Sequence, residues 1–242
     1  MTVQSADPRA PLIAIVGCDG SGKSTVSAAV LEFARRFGTA EAVHLGKQSG
    51  NIGRAISRWP LVGRKLDRTI ESQTIKTRGP RGQTNPKLLA ALVVYAFVIR
   101  RRRRFNRMLA RWHRGTIIIA DRFPQIDVPG AYDGPLMAPD GAGGRMVRWL
   151  ARRERRHFTW MVDHKPDLVI RLNVDLETAL ARKPDHKREA LRRKVEATPR
   201  FRFGGAAIVE IDSTRPLADV IAAAQSAVGK ALMDRGYSPA EM

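Results

Sequence analysis

The residues with the clearest chemical meaning are Gly17-Cys18-Asp19-Gly20-Ser21-Gly22-Lys23-Ser24-Thr25, which fit the spacing G-x-x-x-x-G-K-[ST]. They follow an apolar run, Leu12 to Val16, and precede a helical pattern, Val26 to Phe37. Strand, glycine-rich loop and helix in that order make a phosphate-binding P-loop. Gly17, Gly20 and Gly22 allow backbone conformations closed to residues with a Cβ, so successive N–H groups can converge on one anion. The helix starting near Lys23 adds the positive end of its dipole. Lys23 is expected to reach the β- and γ-phosphates of a triphosphate, and the Ser24 hydroxyl to ligate Mg²⁺. All nine residues, Gly17 to Thr25, are candidate nucleotide-binding positions.

A second pair is Asp121-Arg122, directly after the β-branched run Thr116 to Ala120. A carboxylate there can hold Mg²⁺ or orient a nucleophile, and a guanidinium can grip a second phosphate in a bidentate way. Between the last two predicted strands lie Arg182, Lys183, Lys187, Arg188, Arg192 and Arg193, a basic stretch able to close over a nucleotide. Arg182 and Arg188 flank the predicted hinge and are its candidate catalytic residues. Asp19 projects either toward an acceptor hydroxyl or back onto its own loop. Of the five histidines, His44 ends the second strand and is the one that could face an acceptor; His164 and His186 are expected at the surface. No Cys/His metal cluster and no Ser/His/Asp arrangement can be argued.

The elements that position these groups alternate. Strands are expected at Leu12–Val16, Ala42–Leu45, Thr116–Ala120, Asp167–Asn173 and Ala207–Ile211, with helices between them and a terminal helix from Pro216 to Met233. Such alternation implies an α/β fold with a parallel sheet, and ligands at the C-terminal strand ends. Asn85-Pro86 looks like the start of a long helix, with Asn85 as its N-cap, a buried apolar first half from Leu88 to Ile99 and a charged second half. Arg100 to Arg104 are consecutive, so they wrap around that helix and most are expected in solvent. Gly46 to Asn85 is polar and basic, with weak helical spacing over Ile52–Trp59 and Leu61–Ile75.

The chain has 242 residues, 43% of them hydrophobic, and a formal net charge of +20. That suits one α/β domain and polyanionic partners. The single cysteine, Cys18, excludes an intrachain disulfide and fits a reducing cytoplasm. The apolar run before the arginines is about twelve residues, short of the ~20 that span a bilayer. Beside clustered arginine it could still dock on anionic lipid, so a peripheral membrane role stands as an alternative.

On the P-loop, Asp121-Arg122-Phe123, the stretch Pro166 to Val174 with Glu177 and Ala179-Leu180, and Ile211-Asp212, the chain resembles the thymidylate kinase family of P-loop nucleotide kinases. The resemblance runs from about Leu12 to about Val228. It implies a P-loop NTPase fold: a five-stranded parallel sheet in the order 2-3-1-4-5 flanked by helices, with a helical lid. It also implies ATP and Mg²⁺, Arg122 on the acceptor phosphate, Asp19 near the acceptor sugar, and Ser213 to Pro216 near adenine. The expected layout is a disordered tail over 1–10 and a kinase domain over 11–236, with an acceptor side at 47–112 and a lid at 182–200. The chain departs from dTMP kinases where their Arg-Glu-Pro-Gly stretch would stand: here the residues are Leu45-Gly46-Lys47-Gln48-Ser49-Gly50. The expected activity is transfer of the ATP γ-phosphoryl to a nucleoside monophosphate, dTMP first. The alternatives are a kinase of another small metabolite, or a non-catalytic ATP-binding module at an anionic membrane surface. Expected partners are ATP and a small phosphorylated acceptor, with a homodimer held open and specific nucleic acid not expected.

Overall fold

A computed structural model describes residues 9–46 and 85–240. The expected helical segments at Ile52–Trp59 and Leu61–Ile75, and most of the Met1 to Ala10 tail, lie outside the described residues. The structure divides into two compact units. The first comprises described residues 9–45, 104–123 and 164–240; the second comprises 46, 85–103 and 124–163.

The first unit is a parallel sheet of five strands: β1 (Leu12–Gly17), β2 (Ala40–His44), β3 (Ile117–Asp121), β4 (Leu168–Asn173) and β5 (Ala207–Asp212). Their order is β2-β3-β1-β4-β5. This is the α/β P-loop fold. The order follows from burial. β1, β3 and β4 are apolar runs buried on both faces, whereas β2 and β5 are partly exposed and take the edges. Helix α1 (Lys23–Ala34) puts Val26, Val30 and Ala34 at i, i+4, i+8 against the sheet. The last helix, α6 (Leu217–Met233), packs Val220, Ala224 and Val228 into the same core. Ala10, expected in a disordered tail, is fully buried, and its carbonyl accepts the Trp112 indole N–H.

One buried charge shapes the region after β4. Arg171 is 1% exposed, and it donates to the carbonyls of Pro199 and Phe201 and, at 2.7 Å, to Glu210 on the neighbouring strand. A guanidinium has no acceptor capacity and needs carbonyls when buried, so Arg171 pins the segment that returns from the basic helices to β5. Those helices are α4 (Leu176–Arg182), capped by Asp175, and α5 (Arg188–Ala197). The highly charged stretch Pro184 to Ala197 reads as helical in sequence, but the helix starts only at Arg188, after a turn at 184–185 and a bend at 186.

The long helix α2 (Leu88–Trp112) starts in the second unit and ends in the first. The second unit also holds α3 (Arg145–Asp163) and the loop 124–144. Asn85 is not the N-cap of α2. Its amide instead accepts from Ala138 N and donates to Ala138 O, both at 2.8 Å. Buried Glu154 accepts from Leu136 N and Met137 N, fixing the same loop.

Two expectations for α2 are corrected. Its apolar first half is not buried as a whole: Leu88, Leu89 and Leu92 are exposed, because a helix apolar all round can turn only one face inward. Nor are most of the arginines simply solvated. Arg101 is buried against Asp133 (3.1 Å), Arg102 donates to His157 Nδ1 (2.7 Å), and Arg104 donates to the His44 carbonyl (3.2 Å). No described helix is long and apolar enough to cross a membrane.

Candidate functional site

The site forms at the C-terminal ends of β1 and β3 in the first unit. Register places β1 Ile15 beside Asp121 of β3, so the P-loop and the Asp-Arg pair leave the sheet side by side. The loop backbone is the left-handed kind that glycine permits. Gly20 has φ +86°, and a Cβ on it would lie 2.8 Å from the Ala179 carbonyl oxygen of α4. Gly22, the residue capping α1, has φ +79° but open space around it. Gly20→Ala is therefore expected to cost about 2 kcal/mol or more, combining αL strain with backbone overpacking. Gly22→Ala should cost only the strain, about 1 kcal/mol. Thermal unfolding of both variants checks this; equal midpoints would contradict the close approach of α4 to the loop.

Lys23 is buried and its ammonium donates to the Cys18 carbonyl. Burial, and then the charge of Arg122, pull its pKa down to about 8. Cys18 is a buried filler, packed with Val174, Ala179 and Leu191, and burial pushes its thiol up. Asp19 points out of the loop as a hub. Arg122 donates to it at 2.8 Å, Lys194 pairs with its other oxygen, and His186 Nε2 is 3.6 Å away. Burial alone would raise the Asp19 pKa, but Lys194, Arg122 and Lys23 outweigh it and hold the carboxyl well below the usual range.

Asp121 is aligned by its neighbour strand. His44 and Asp121 are register partners in β2 and β3, and His44 Nδ1 meets Asp121 Oδ2 at 2.7 Å. Burial raises the Asp121 pKa; the His44 hydrogen bond and the charges of His44, Arg122 and Lys23 outweigh it, so the carboxyl stays ionised. His44, the histidine that could face an acceptor, bonds Asp121. The other oxygen, Asp121 Oδ1, is buried with no hydrogen-bond partner among the described residues. An ionised oxygen left in that state, together with the exposed Ser24 hydroxyl at the start of α1, suits a hard divalent cation such as Mg²⁺. No cluster of three or more His, Cys, Asp or Glu able to hold a metal occurs among the described residues. Mg²⁺ needs no such cage when phosphates and water complete its shell.

Arg122 follows β3 with φ +65°, a strained conformation for a residue with a Cβ. Phe123 behind it is buried edge-on to Phe105 and Phe203, which anchors the turn. Arg182 at the end of α4 donates to the Gly20 carbonyl (3.2 Å) and to the Ser213 carbonyl (3.0 Å). It therefore lies on the loop. Arg188 does not: it forms an exposed pair with Glu177. The basic residue of α5 that reaches the loop is Lys194, which the sequence reading did not single out. Its signal was its place on the apolar face of α5, one turn beyond Leu191 and beside Val195, which pack against Cys18 and Ala179. His186, expected at the surface, is drawn to Asp19.

The arrangement thus gathers Lys23, Arg122, Lys194 and Arg182 around a glycine-rich loop, with Asp19 and Asp121 among them. No family model matches the chain. It is 40% identical over 223 residues to the uncharacterized ATP-binding protein YghS of Escherichia coli strain K12, covering 91% of this chain and 93% of that protein. The chain belongs to the YghS family. The uncharacterized ATP-binding protein YghR of the same strain is 38% identical over 218 residues, covering 90% of this chain and 86% of that one. A deoxyadenosine kinase from M. mycoides, solved with bound dCTP, matches this member of the YghS family at a TM-score of 0.49 and 14% identity. That alignment covers 90% of this chain and 99% of the kinase, and the score is too low to bear on function.

Proposed function

We propose that the chain is an ATP-dependent phosphotransferase of the nucleotide-kinase type, moving the γ-phosphoryl of ATP to a nucleoside monophosphate. One observation carries the reading: Arg122, leaving β3, donates at 2.8 Å to Asp19 of the P-loop, so its guanidinium stands at the same loop as Lys23. Two cations kept together against their repulsion favour a site for more than one phosphate. The printed names of YghS and YghR support ATP as the nucleotide.

In this reading the P-loop N–H groups and Lys23 hold the β- and γ-phosphates, and Arg122 holds the acceptor phosphate in line with them. An acceptor oxygen forms the new P–O bond as the bond to the β-phosphate oxygen breaks, leaving ADP. Ser24 and Asp121 would hold Mg²⁺, which supplies neutralisation of phosphate charge. His44 keeps Asp121 oriented. Arg182 and Lys194 bring positive charge from the basic helices, as does Arg188 if it leaves Glu177. Residues 182–200 then act as the lid, and Ser213 to Pro216 border the adenine.

dTMP is the first acceptor to test. The Leu45 to Gly50 stretch, which lacks the dTMP-kinase pattern, supports other small metabolites, sugars included, as the second reading. ATP-to-ADP turnover across nucleoside monophosphates, nucleosides and sugars tests both. Strong stimulation by one acceptor supports transfer; no stimulation by any of them sinks it and leaves a non-catalytic ATP-binding module.

The pH dependence follows from Lys23. With its pKa at about 8 in the ligand-free chain, the ammonium that binds phosphate is lost as pH rises through that value. kcat/KM for ATP should fall about tenfold per pH unit above it. The depressed carboxyls of Asp19 and Asp121 stay ionised down to acidic pH, so no matching acid limb comes from them near neutrality. A profile flat to pH 10 would contradict the assignment.

A further inference from the structure

The second unit carries an exposed apolar surface. Leu88, Leu89 and Leu92 on α2, and Met146 and Trp149 on α3, are between 43 and 57% exposed. Helical spacing lines up Leu88, Leu92 and Tyr95 in one row and Met146, Trp149 and Arg153 in another. The Tyr95 and Trp149 rings meet at 6.5 Å, so the two rows are neighbours. Beneath them Ala91, Val147, Leu150 and Ala151 form the buried core of this unit.

Positive charge borders the apolar strip. α3 contains six arginines, while its Glu154 is buried on backbone N–H groups. Arg153 stands over the Trp149 ring at 5.1 Å. Further along α3, Arg152, Arg155 and Arg156 line an open cavity of about 440 Å³ with Thr159, Trp160, Pro139 and one carboxylate, Asp163, so its lining stays net positive.

We propose that this α2–α3 face docks the protein on an anionic phospholipid bilayer. The leucines, Met146 and Trp149 enter the boundary between headgroups and acyl chains, and the arginines take the lipid phosphodiesters. The combination selects the occupant. A second copy of the chain meeting this face by two-fold symmetry would set arginine against arginine in a protein of net charge +20. Nucleic acid would use the arginines and tryptophans but gain little from exposed leucines and methionine. The sequence alone suggests membrane contact through Leu88 to Arg104; within that stretch Leu88, Leu89 and Leu92 are exposed, whereas Arg101, Arg102 and Arg104 are engaged within the protein, so the cations come from α3 instead. The proposal does not depend on the phosphotransferase reading.

Flotation of the full chain with vesicles tests it. Binding is expected to phosphatidylcholine–phosphatidylglycerol vesicles and not to phosphatidylcholine alone, weakening as salt rises. Leu92→Gln with Trp149→Ser should lower partitioning at least about tenfold, as should Arg152→Gln with Arg156→Gln. Both pairs alter exposed positions, so the unfolding midpoint should not change. Trp149→Phe should keep flotation while removing the blue shift of tryptophan emission on binding. The proposal is overturned by absence of binding to the anionic vesicles, or by binding that both double variants leave intact. It is equally overturned if those variants abolish DNA binding or self-association in a chain that ignores vesicles.

Discussion

Lys23→Met is expected to lower ATP turnover on the order of 10³-fold while making the protein more stable. The two effects share one cause. The ammonium is buried beside a second cation, Arg122, and its pKa falls from 10.5 to about 8. Between those values the native state binds fewer protons than the unfolded chain, so wild-type stability rises with pH across that window. Below pH 8 the whole penalty is present, with an upper bound of about 3 kcal/mol. Methionine keeps much of the buried volume without the charge. The midpoint difference between Lys23→Met and wild type should therefore be greatest near neutrality and shrink from pH 8 to pH 10.5. Near-normal turnover would refute the role of Lys23 at phosphate, and a destabilised variant would refute its electrostatic strain.

Arg122→Gly is expected to lower kcat/KM on the order of 10²-fold, chiefly through the KM of the acceptor, with little loss of stability. Arg122 stands at φ +65°, where glycine relieves about 1–2 kcal/mol of strain. Asp19, which loses Arg122, keeps Lys194 and His186. The substitution thus separates the backbone from the guanidinium. Arg122→Lys should recover little, because one ammonium cannot hold a phosphate with the bidentate geometry of arginine. Steady-state kinetics with each substrate varied in turn is the measurement. An unchanged acceptor KM would remove Arg122 from the acceptor side.

Much of this fold is legible in the chain because burial on two faces leaves a strong imprint. Leu12 to Val16, Ile117 to Ala120 and Leu168 to Ile170 are apolar runs that fit only central strands. The glycine spacing fixes the loop between β1 and α1. What escapes a linear reading depends on register and docking. His44 and Asp121 lie 77 positions apart and become partners only because β2 and β3 pair in parallel at that register. Lys194 meets Asp19 across 175 positions because Leu191 seats α5 against the P-loop. Arg188, closer to the hinge by sequence, is drawn away by Glu177. In α2, Arg101 shares a row with buried Phe105, Met108 and Trp112, so periodicity carries a charge inward and Asp133 compensates it. A run of five arginines hides that row because each looks alike.

The P-loop remains the centre of the account, and Asp19 joins its parts. It connects the loop that would hold the donor to Arg122 and to Lys194 of the basic helix. The most direct test of a two-phosphate site follows the γ-phosphoryl of labelled ATP in the presence of nucleoside monophosphates, dTMP first. Label is expected in the nucleoside diphosphate, lost in Lys23→Met and strongly reduced in Arg122→Gly. Label that stays on ATP, or passes only to inorganic phosphate whatever acceptor is present, would contradict it.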